Sequence, residues 1–246
     1  DLTDHDSPSL AMLARPRGKA RADAWERPGA GPSMKIGVLV FPAVEELDFV
    51  GPWEMFGMWG LIGSSVRTLL VGQSTQPLRC AKGLTVVPDY SFEDCPPLDV
   101  LLVPGGQGTR EQVDNPALMT FVKHQVEQHT QCVMSVCTGA FILHRAGLLL
   151  GRRATTHWAS LKRLRELGDV QVVEERYVVD GPVWTAAGVS AGTDMALAYI
   201  EQVSGPSTAS KVQMAAEYYP EGKLYGGESS HAKAPQYALP RAKPRK

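Results

Sequence analysis

The sequence predicts an α/β fold in which an open, mostly parallel β-sheet is flanked by helices on both faces. Short runs rich in β-branched residues alternate with helical stretches, the pattern of strands joined by crossover helices. One apolar strand runs directly into Cys137 and then into a helix, and another strand ends in the loop Pro104-Gly105-Gly106. Both features are typical of a site at the carboxyl edge of a parallel sheet.

The predicted elements follow one another from Met34 onward. We predict strands over residues 35–41, 66–71, 100–103, 132–136 and 170–173, a hairpin over residues 177–186, and helices over residues 45–59, 115–128, 138–146, 160–167, 193–203 and 207–217. Asn115 is the expected cap of the second helix, and Asp180-Gly181 the expected hairpin turn. Because proline lacks an amide proton, Gly51-Pro52 predicts a first helix that is kinked or divided into two pieces.

Length and composition predict a single domain. The 246 residues are 43% hydrophobic and 21% charged, an ordinary globular composition. We place the domain over residues 34–225, between a disordered tail (1–33) and a disordered basic tail (226–246), since neither tail has apolar residues in a period. The net charge of -1 and the strand-sized apolar runs argue against nucleic-acid and membrane partners.

The cysteines are too few and too scattered for a disulfide framework. Cys80, Cys95, Cys132 and Cys137 form no CxxC pair and have no histidine at a spacing that suits zinc. The sequence therefore predicts no metal site and a cytoplasmic location. A structural role is expected for every cysteine except Cys137.

Cys137 is the candidate nucleophile. It stands where a strand turns sharply into a helix, and the small Gly139 lets helix and strand pack closely. The helix amino terminus should lower the pKa of the Cys137 thiol and raise its reactivity. The alternative from the residues alone is a buried cysteine that acts as a small hydrophobe.

Several segments, taken in order, carry a family resemblance. They are Phe41-Pro42 with Leu47-Asp48-Phe49-Val50-Gly51-Pro52 and Glu54-Met55-Phe56, then Val103-Pro104-Gly105-Gly106, Ser135-Val136-Cys137-Thr138-Gly139-Ala140-Phe141, Gly147-Leu148-Leu149 and Ala154-Thr155-Thr156-His157-Trp158. Over about residues 34–220 the chain resembles the ThiJ/PfpI superfamily, and within it the isonitrile hydratase branch. The resemblance implies a class I glutamine amidotransferase-like fold, a flavodoxin-like sandwich.

The resemblance also implies roles for individual residues. Cys137 matches the family nucleophile, and Asp48 matches an acid that faces it and that repulsion and desolvation would keep protonated. The backbone amides of Gly106 and Thr138 match the pair that cradles negative charge. Thr138 stands where peptidase and glyoxalase relatives carry a histidine, which weakens those two activities. For His157 we expect a place in the pocket wall ahead of a catalytic role.

The implied reaction adds water to an isonitrile, through a covalent thioimidate on Cys137, to give an N-substituted formamide without a cofactor. The alternative is a stand-alone small-molecule or redox sensor, because related transcription factors carry similar segments on a sensor domain. We expect Glu45-Glu46 to be a solvated face. A homodimer is expected from the resemblance and from apolar side chains that one core cannot all accommodate: Trp53, Met55, Phe56, Met58 and Trp59.

Overall fold

A computed structural model describes residues 33–220 and 232–239. The predicted tail over residues 1–33 lies outside the described residues except for Ser33. Of the predicted tail over residues 226–246, the structure describes residues 232–239. The proposed limits of the domain stay a prediction.

Eleven strands and seven α-helices occur among the described residues. The strands are β1 (Met34–Leu39), β2 (Val66–Gly72), β3 (Leu78–Arg79), β4 (Thr85–Val86), β5 (Tyr90–Ser91), β6 (Val100–Val103), β7 (Cys132–Val136), β8 (Arg153–Ala154), β9 (Gln171–Val172), β10 (Tyr177–Asp180) and β11 (Val183–Ala186). The helices are α1 (Glu46–Leu61), α2 (Thr109–Gln112), α3 (Pro116–Gln128), α4 (Gly139–Arg145), α5 (Leu161–Arg165), α6 (Ala191–Ser204) and α7 (Pro206–Ala215). Short 3-10 helices cover Trp158–Ser160 and Gln236–Ala238.

The main sheet has seven strands in the order β10-β11-β7-β6-β1-β2-β5. Every neighbouring pair is parallel except β10 with β11. The predicted fold class, a mostly parallel sheet flanked by helices, is therefore confirmed. The chain leaves β1 first toward β2 and later returns to β6 on the other side, so the topological switch lies between β1 and β6, where open α/β sheets place their ligands.

Two local signals were predicted correctly from residue type. The side chain of Asn115 accepts hydrogen bonds from the backbone amides of Ala117 (3.0 Å) and Leu118 (3.3 Å), so it caps α3. Strands β10 and β11 form an antiparallel hairpin, and Gly181 takes the positive φ of +58° that its turn requires. Each is a short-range effect that a few neighbouring residues determine.

The first helix differs from the prediction of two pieces. Helix α1 is continuous from Glu46 to Leu61 with Pro52 inside it. Pro52 is buried, and its ring lies beside Gly192 of α6, where there is no side chain to obstruct it. Tertiary packing of α1 on α6 therefore compensates for the missing amide donor.

The core accommodates the aromatic and methionine side chains of α1 that we expected to need a partner. Met55, Phe56 and Trp59 are buried, and Trp53 and Met58 pack against the core. The rings of Phe56 and Trp59 both meet Tyr199 of α6 edge-on, with centroids 6.4 Å apart. The argument that these five residues leave an apolar face for a partner is therefore wrong, because α1 is covered by α6 and α7.

Residues 232–239 contribute a turn and a short 3-10 helix. Within this segment the half-buried Tyr237 packs against the hydrophobic core. In the described parts of the chain no helix has the length and apolar character needed to cross a membrane.

The homodimer stays a prediction, and other residues of α1 now support it. Leu47 and Val50 are 43% and 39% exposed. We expect light scattering at micromolar concentration to give twice the chain mass of 26.7 kDa. Val50→Glu should shift the protein toward the monomer, since a buried unpaired carboxylate disfavours association. Leu150→Glu, at a 70% exposed position outside α1, should remain dimeric; a monomeric wild type would contradict the proposal.

Candidate active site

Three strand ends and one helix start meet at the carboxyl edge of the sheet. Cys137 follows β7, Gly105 and Gly106 follow β6, and Val189 follows β11. Asp48 lies in the first turn of α1. Because β6, β7 and β11 run parallel and next to one another, their ends bring these residues together.

Cys137 forms the sharp turn between β7 and α4. Its φ of +57° lies in the left-handed region, which is rare for any residue other than glycine. The backbone amide of Cys137 donates to the carbonyls of Ala186 (3.1 Å) and Ala187 (2.9 Å), and the Thr156 hydroxyl donates to the Cys137 carbonyl (2.7 Å). These bonds hold the strained turn in place, and backbone strain of this kind persists where the surrounding structure determines it.

Two glycines let the turn approach the loop that follows β6. A Cβ at Gly139 would lie 2.1 Å from the Val103 carbonyl oxygen. A Cβ at Gly105 would lie 2.5 Å from the Thr138 nitrogen and 2.8 Å from Asp48 Oδ2. Both distances are shorter than real contacts allow, so only glycine permits this approach.

The Asp48 carboxyl is fully buried beside Cys137. Its Oδ2 accepts a hydrogen bond from the Gly105 amide at 2.8 Å. Burial raises the pKa of Asp48 to about 7, and the Gly105 hydrogen bond only partly offsets this rise. The nearby Cys137 thiol also lowers the Asp48 pKa, although Oδ1 has no hydrogen-bond partner of normal geometry among the described residues.

The thiol of Cys137 is also buried, with 7% of the residue exposed. Burial raises the pKa of the Cys137 thiol far above its usual range, and the Asp48 carboxyl raises it further. Hydrogen bonding from Thr138 and from the Val189 amide works in the opposite direction. The predicted lowering of the thiol pKa is therefore wrong, because α4 has only seven residues and desolvation outweighs its amino terminus.

The hydroxyl of Thr138 links the thiol to the neighbouring loop. Its Oγ1 accepts from the Gly106 amide at 3.0 Å and lies 3.1 Å from Thr109 Oγ1, while the Thr109 hydroxyl donates to the Gly106 carbonyl at 2.7 Å. The Thr138 side chain also hydrogen-bonds the Cys137 thiol. The Gly106 amide, predicted as a charge-stabilising donor, is thus engaged by a hydroxyl that itself touches the sulfur.

Val189 belongs to the site although sequence reasoning missed it. Its backbone amide hydrogen-bonds the Cys137 sulfur, and its φ of +44° is unusual for a β-branched residue. The position of Val189 just after β11 could have indicated its role. However, from the sequence we recognised β11 only as one strand of a hairpin and not as a neighbour of β7. In the sheet β11 also pairs in parallel with β7, which carries Val189 to the thiol.

His157 lies beside Gly188, one residue before Val189. Its Nδ1 accepts from the Ala159 amide at 3.2 Å, and its ring packs on Gly188, where a Cβ would lie 2.4 Å from His157 Cδ2. Burial lowers the pKa of His157, and the charge of Glu45 raises it. His157 is not among the groups that act on the Cys137 thiol. A place beside the pocket therefore stays a better interpretation of His157 than a catalytic role.

Glu45 and Glu46 differ from the solvated face that we expected. Their side chains are only 16% and 17% exposed. Glu45 pairs with Lys82, and Glu46 accepts from the Lys82 amide at 2.6 Å. The charge of Glu45 raises the pKa of Asp48, whereas Lys82 lowers it, so this pair contributes to the electrostatics of the site.

No group of three His, Cys, Asp or Glu residues within residues 33–220 and 232–239 is arranged to hold a metal ion. The described site presents a thiol, a carboxyl group, a threonine hydroxyl and backbone amides.

Comparisons with known proteins identify relatives of this chain. Residues 34–202 match the DJ-1/PfpI family. An isonitrile hydratase of Pseudomonas putida is 38% identical over 200 residues, 81% of this chain and 85% of that enzyme. The crystal structure of a ThiJ/PfpI family protein from Pseudomonas syringae superposes with a TM-score of 0.73 at 32% identity, covering 90% of this chain and 89% of that one. The HTH-type transcriptional regulator CdhR of Pseudomonas aeruginosa is 33% identical, covering 73% of this chain but 54% of the regulator.

The raised pKa of Asp48 predicts a pH-dependent effect of Asp48→Asn on stability. Asparagine keeps an acceptor for the Gly105 amide and is never charged. Because the Asp48 pKa rises from 3.8 to about 7 on folding, the wild type is most stable, as far as this group is concerned, below pH 3.8. That stability, of the order of 4 kcal/mol, is lost as the pH rises from 3.8 to about 7.

The measurement is thermal unfolding of both proteins by circular dichroism, at about pH 4.5 and about pH 8.5. The stability of Asp48→Asn relative to that of the wild type should increase as the pH is raised, because only the wild type loses the contribution of Asp48. If the difference in stability between Asp48→Asn and the wild type were the same at both pH values, Asp48 would not titrate in this range.

Proposed function

The chain belongs to the DJ-1/PfpI family, and from this premise we propose that it is an isonitrile hydratase-like enzyme. Its substrate is an isonitrile, and its product is the corresponding N-substituted formamide. The observation that carries the proposal is the buried pair of Cys137 and Asp48, in which a carboxyl group with a pKa of about 7 faces a thiol. The 38% identity to an isonitrile hydratase supports the same reaction.

The first step forms a bond between the sulfur of Cys137 and the terminal carbon of the isonitrile. The thiol carries its proton at neutral pH because its pKa is raised, whereas Asp48 is about half ionised. The Asp48 carboxylate takes the thiol proton as sulfur attacks, and it then delivers that proton to the substrate carbon. The product is a thioimidate in which the carbon carries one hydrogen.

The second step hydrolyses the thioimidate. Asp48, again a carboxylate, removes a proton from water as the water oxygen bonds to the same carbon, and the proton passes to the substrate nitrogen. The carbon–sulfur bond then breaks, the hydroxyl proton returns to sulfur, and the formamide leaves. The two protons of water end on nitrogen and sulfur, so Asp48 is both base and acid in each cycle.

The neighbouring groups position the sulfur and stabilise charge. The Thr138 amide, the Thr138 hydroxyl and the Val189 amide hydrogen-bond the sulfur, which favours the thiolate at the moment of attack. The Thr138 hydroxyl can donate to the sulfur or to the Gly106 carbonyl, which lies 3.3 Å from it. The amides of Thr138 and Gly106 remain the proposed donors to polar atoms of the adduct. Both are engaged in the free site, the Thr138 amide by the sulfur and the Gly106 amide by the Thr138 hydroxyl, so each must exchange that partner for the adduct. His157 contributes a wall of the pocket.

A second candidate function is a small-molecule sensor without turnover. The similarity to CdhR favours it, because CdhR is a transcriptional regulator. A redox sensor is less well supported, since oxidation depends on an accessible thiolate, and the Cys137 thiol is buried with a raised pKa. We further propose that the protein is a cytoplasmic homodimer. Its proposed binding partner besides the second subunit is the small-molecule substrate.

Substitutions at Cys137 and Asp48 test the mechanism. Cys137→Ala should abolish formamide formation, because alanine fills the space without providing a nucleophile. Asp48→Asn should lower kcat about a hundredfold to ten-thousandfold, since an amide cannot transfer the proton. The assay is mass spectrometry of the formamide formed from an aryl or alkyl isonitrile, with circular dichroism to verify folding.

Three further variants act as controls or alternatives. Cys95→Ala, at a cysteine outside the site, should keep full activity. His157→Ala should lose far less activity than Asp48→Asn, and Thr138→Val should lose a moderate part because it keeps the amide and removes the hydroxyl. A His157→Ala variant as inactive as Cys137→Ala would replace the Cys-Asp mechanism by a Cys-His one. A wild type that binds isonitriles without turnover would favour the sensor.

A further inference from the structure

The turn over residues 187–190, between β11 and α6, brings a backbone donor to the reactive sulfur. The Val189 amide hydrogen-bonds the Cys137 sulfur. Val189 has a φ of +44°, which is unfavourable for a β-branched residue. Because Val189 would relax away from this conformation if it were free to do so, the hydrogen bond to sulfur depends on whatever holds the two ends of the turn.

The backbone of Arg176 holds the first end of this turn. Arg176 immediately precedes β10, and its carbonyl accepts a hydrogen bond from the Ala187 amide at 2.9 Å. The Ala187 carbonyl in turn accepts from the Cys137 amide at 2.9 Å. Ala187 is therefore fixed between Arg176 and the residue that carries the thiol.

The side chain of Arg176 holds the other end. Its Nη2 donates to Ser190 Oγ at 3.0 Å, and its Nε donates to Asp194 Oδ2 at 2.6 Å. Ser190 stands directly before α6, a position where serine commonly caps the helix, yet within the described residues its side chain makes no capping hydrogen bond. The Ser190 hydroxyl thus serves Arg176 rather than its own helix.

Asp194 is the anchor that orients Arg176. It lies in the first turn of α6, where negative charge is favourable, and its Oδ1 accepts from the Tyr218 hydroxyl at 3.1 Å. Both carboxylate oxygens of Asp194 are therefore engaged. Because the guanidinium is planar and its donors are fixed relative to one another, the bond to Asp194 determines where Arg176 presents its donor to Ser190.

We propose that Arg176 is a positioning residue, which holds the Val189 amide on the Cys137 sulfur by fixing Ala187 and Ser190 on either side of it. Negative charge grows on sulfur when Cys137 loses its proton. A donor that is already in place stabilises that charge without a rearrangement. The effect on thiol reactivity follows from these contacts alone, while its consequence for turnover rests on the proposed function.

The test is the rate at which iodoacetamide alkylates Cys137 in the full-length Ser190→Ala variant. This substitution removes the contact to Arg176 and keeps the pair of Arg176 with Asp194, so the fold should survive. Mass spectrometry with fragmentation separates Cys137 from Cys132. At about pH 8 the rate should fall about twofold to tenfold, the range that one net hydrogen bond corresponds to, because less thiolate is present. Mere loosening of the fold would instead expose the buried thiol and speed its alkylation.

Two further variants identify the contact that matters. Tyr218→Phe removes the hydrogen bond on the far side of Asp194 and leaves Arg176 and Ser190 in contact, so alkylation should proceed at the wild-type rate. Arg176→Lys keeps the charge but lacks the planar fork, so it should react as slowly as Ser190→Ala. An unchanged or faster rate in Ser190→Ala, or an equal decrease in Tyr218→Phe, overturns the proposed role of Arg176.

Turnover of an isonitrile separates this inference from the proposed function. In an active wild type, Ser190→Ala should lower kcat by a similar factor and leave KM unchanged, since the Val189 amide acts on the sulfur. A kcat equal to that of the active wild type contradicts the positioning role. If the wild type forms no formamide, the hydratase proposal fails, and the alkylation rates still decide the role of Arg176.

Discussion

The close approach of the turn at Cys137 to the loop after β6 is the constraint on which the site depends. Gly139 lies against the Val103 carbonyl, and Gly105 lies against Thr138 and Asp48. Without these two contacts between backbones, Asp48 could not accept a hydrogen bond from Gly105 while facing the thiol. The parallel sheet provides the remaining alignment, since β6 and β7 are hydrogen-bonded neighbours whose carboxyl ends are level.

This arrangement lowers the stability of the fold, and it provides the groups that the proposed reaction needs. A carboxyl group is buried with one hydrogen bond, a thiol is buried beside it, and two non-glycine residues, Cys137 and Val189, have positive φ. Such features persist only where the surrounding structure determines them. The surrounding residues do so: Thr156 bonds the Cys137 carbonyl, and Arg176, held by Asp194 at 2.6 Å, bonds the Ser190 side chain at 3.0 Å next to Val189.

Features with local causes could be predicted from the sequence, and features with tertiary causes could not. The Asn115 cap, the hairpin at Gly181 and the turn at Cys137 each depend on a few adjacent residues, and all three were predicted. The continuity of α1 across Pro52, the burial of its aromatic side chains and the place of Val189 depend on elements far away in the chain. The direction of the thiol pKa depends on a balance between burial and donors, and burial cannot be measured along a sequence.

The choice of a carboxyl group in place of histidine follows from how the proposed reaction uses protons. A histidine that removes the thiol proton becomes a cation beside the new thiolate and forms a stable ion pair. Asp48 instead becomes neutral when it takes that proton, so no ion pair forms that would stabilise the thiolate and lower its reactivity. Burial gives Asp48 a pKa near 7, which matches it to both tasks at neutral pH: the carboxylate form as base and the acid form as proton donor to carbon. A buried carboxyl group of this kind therefore suits an addition in which one proton leaves sulfur and the same proton ends on carbon.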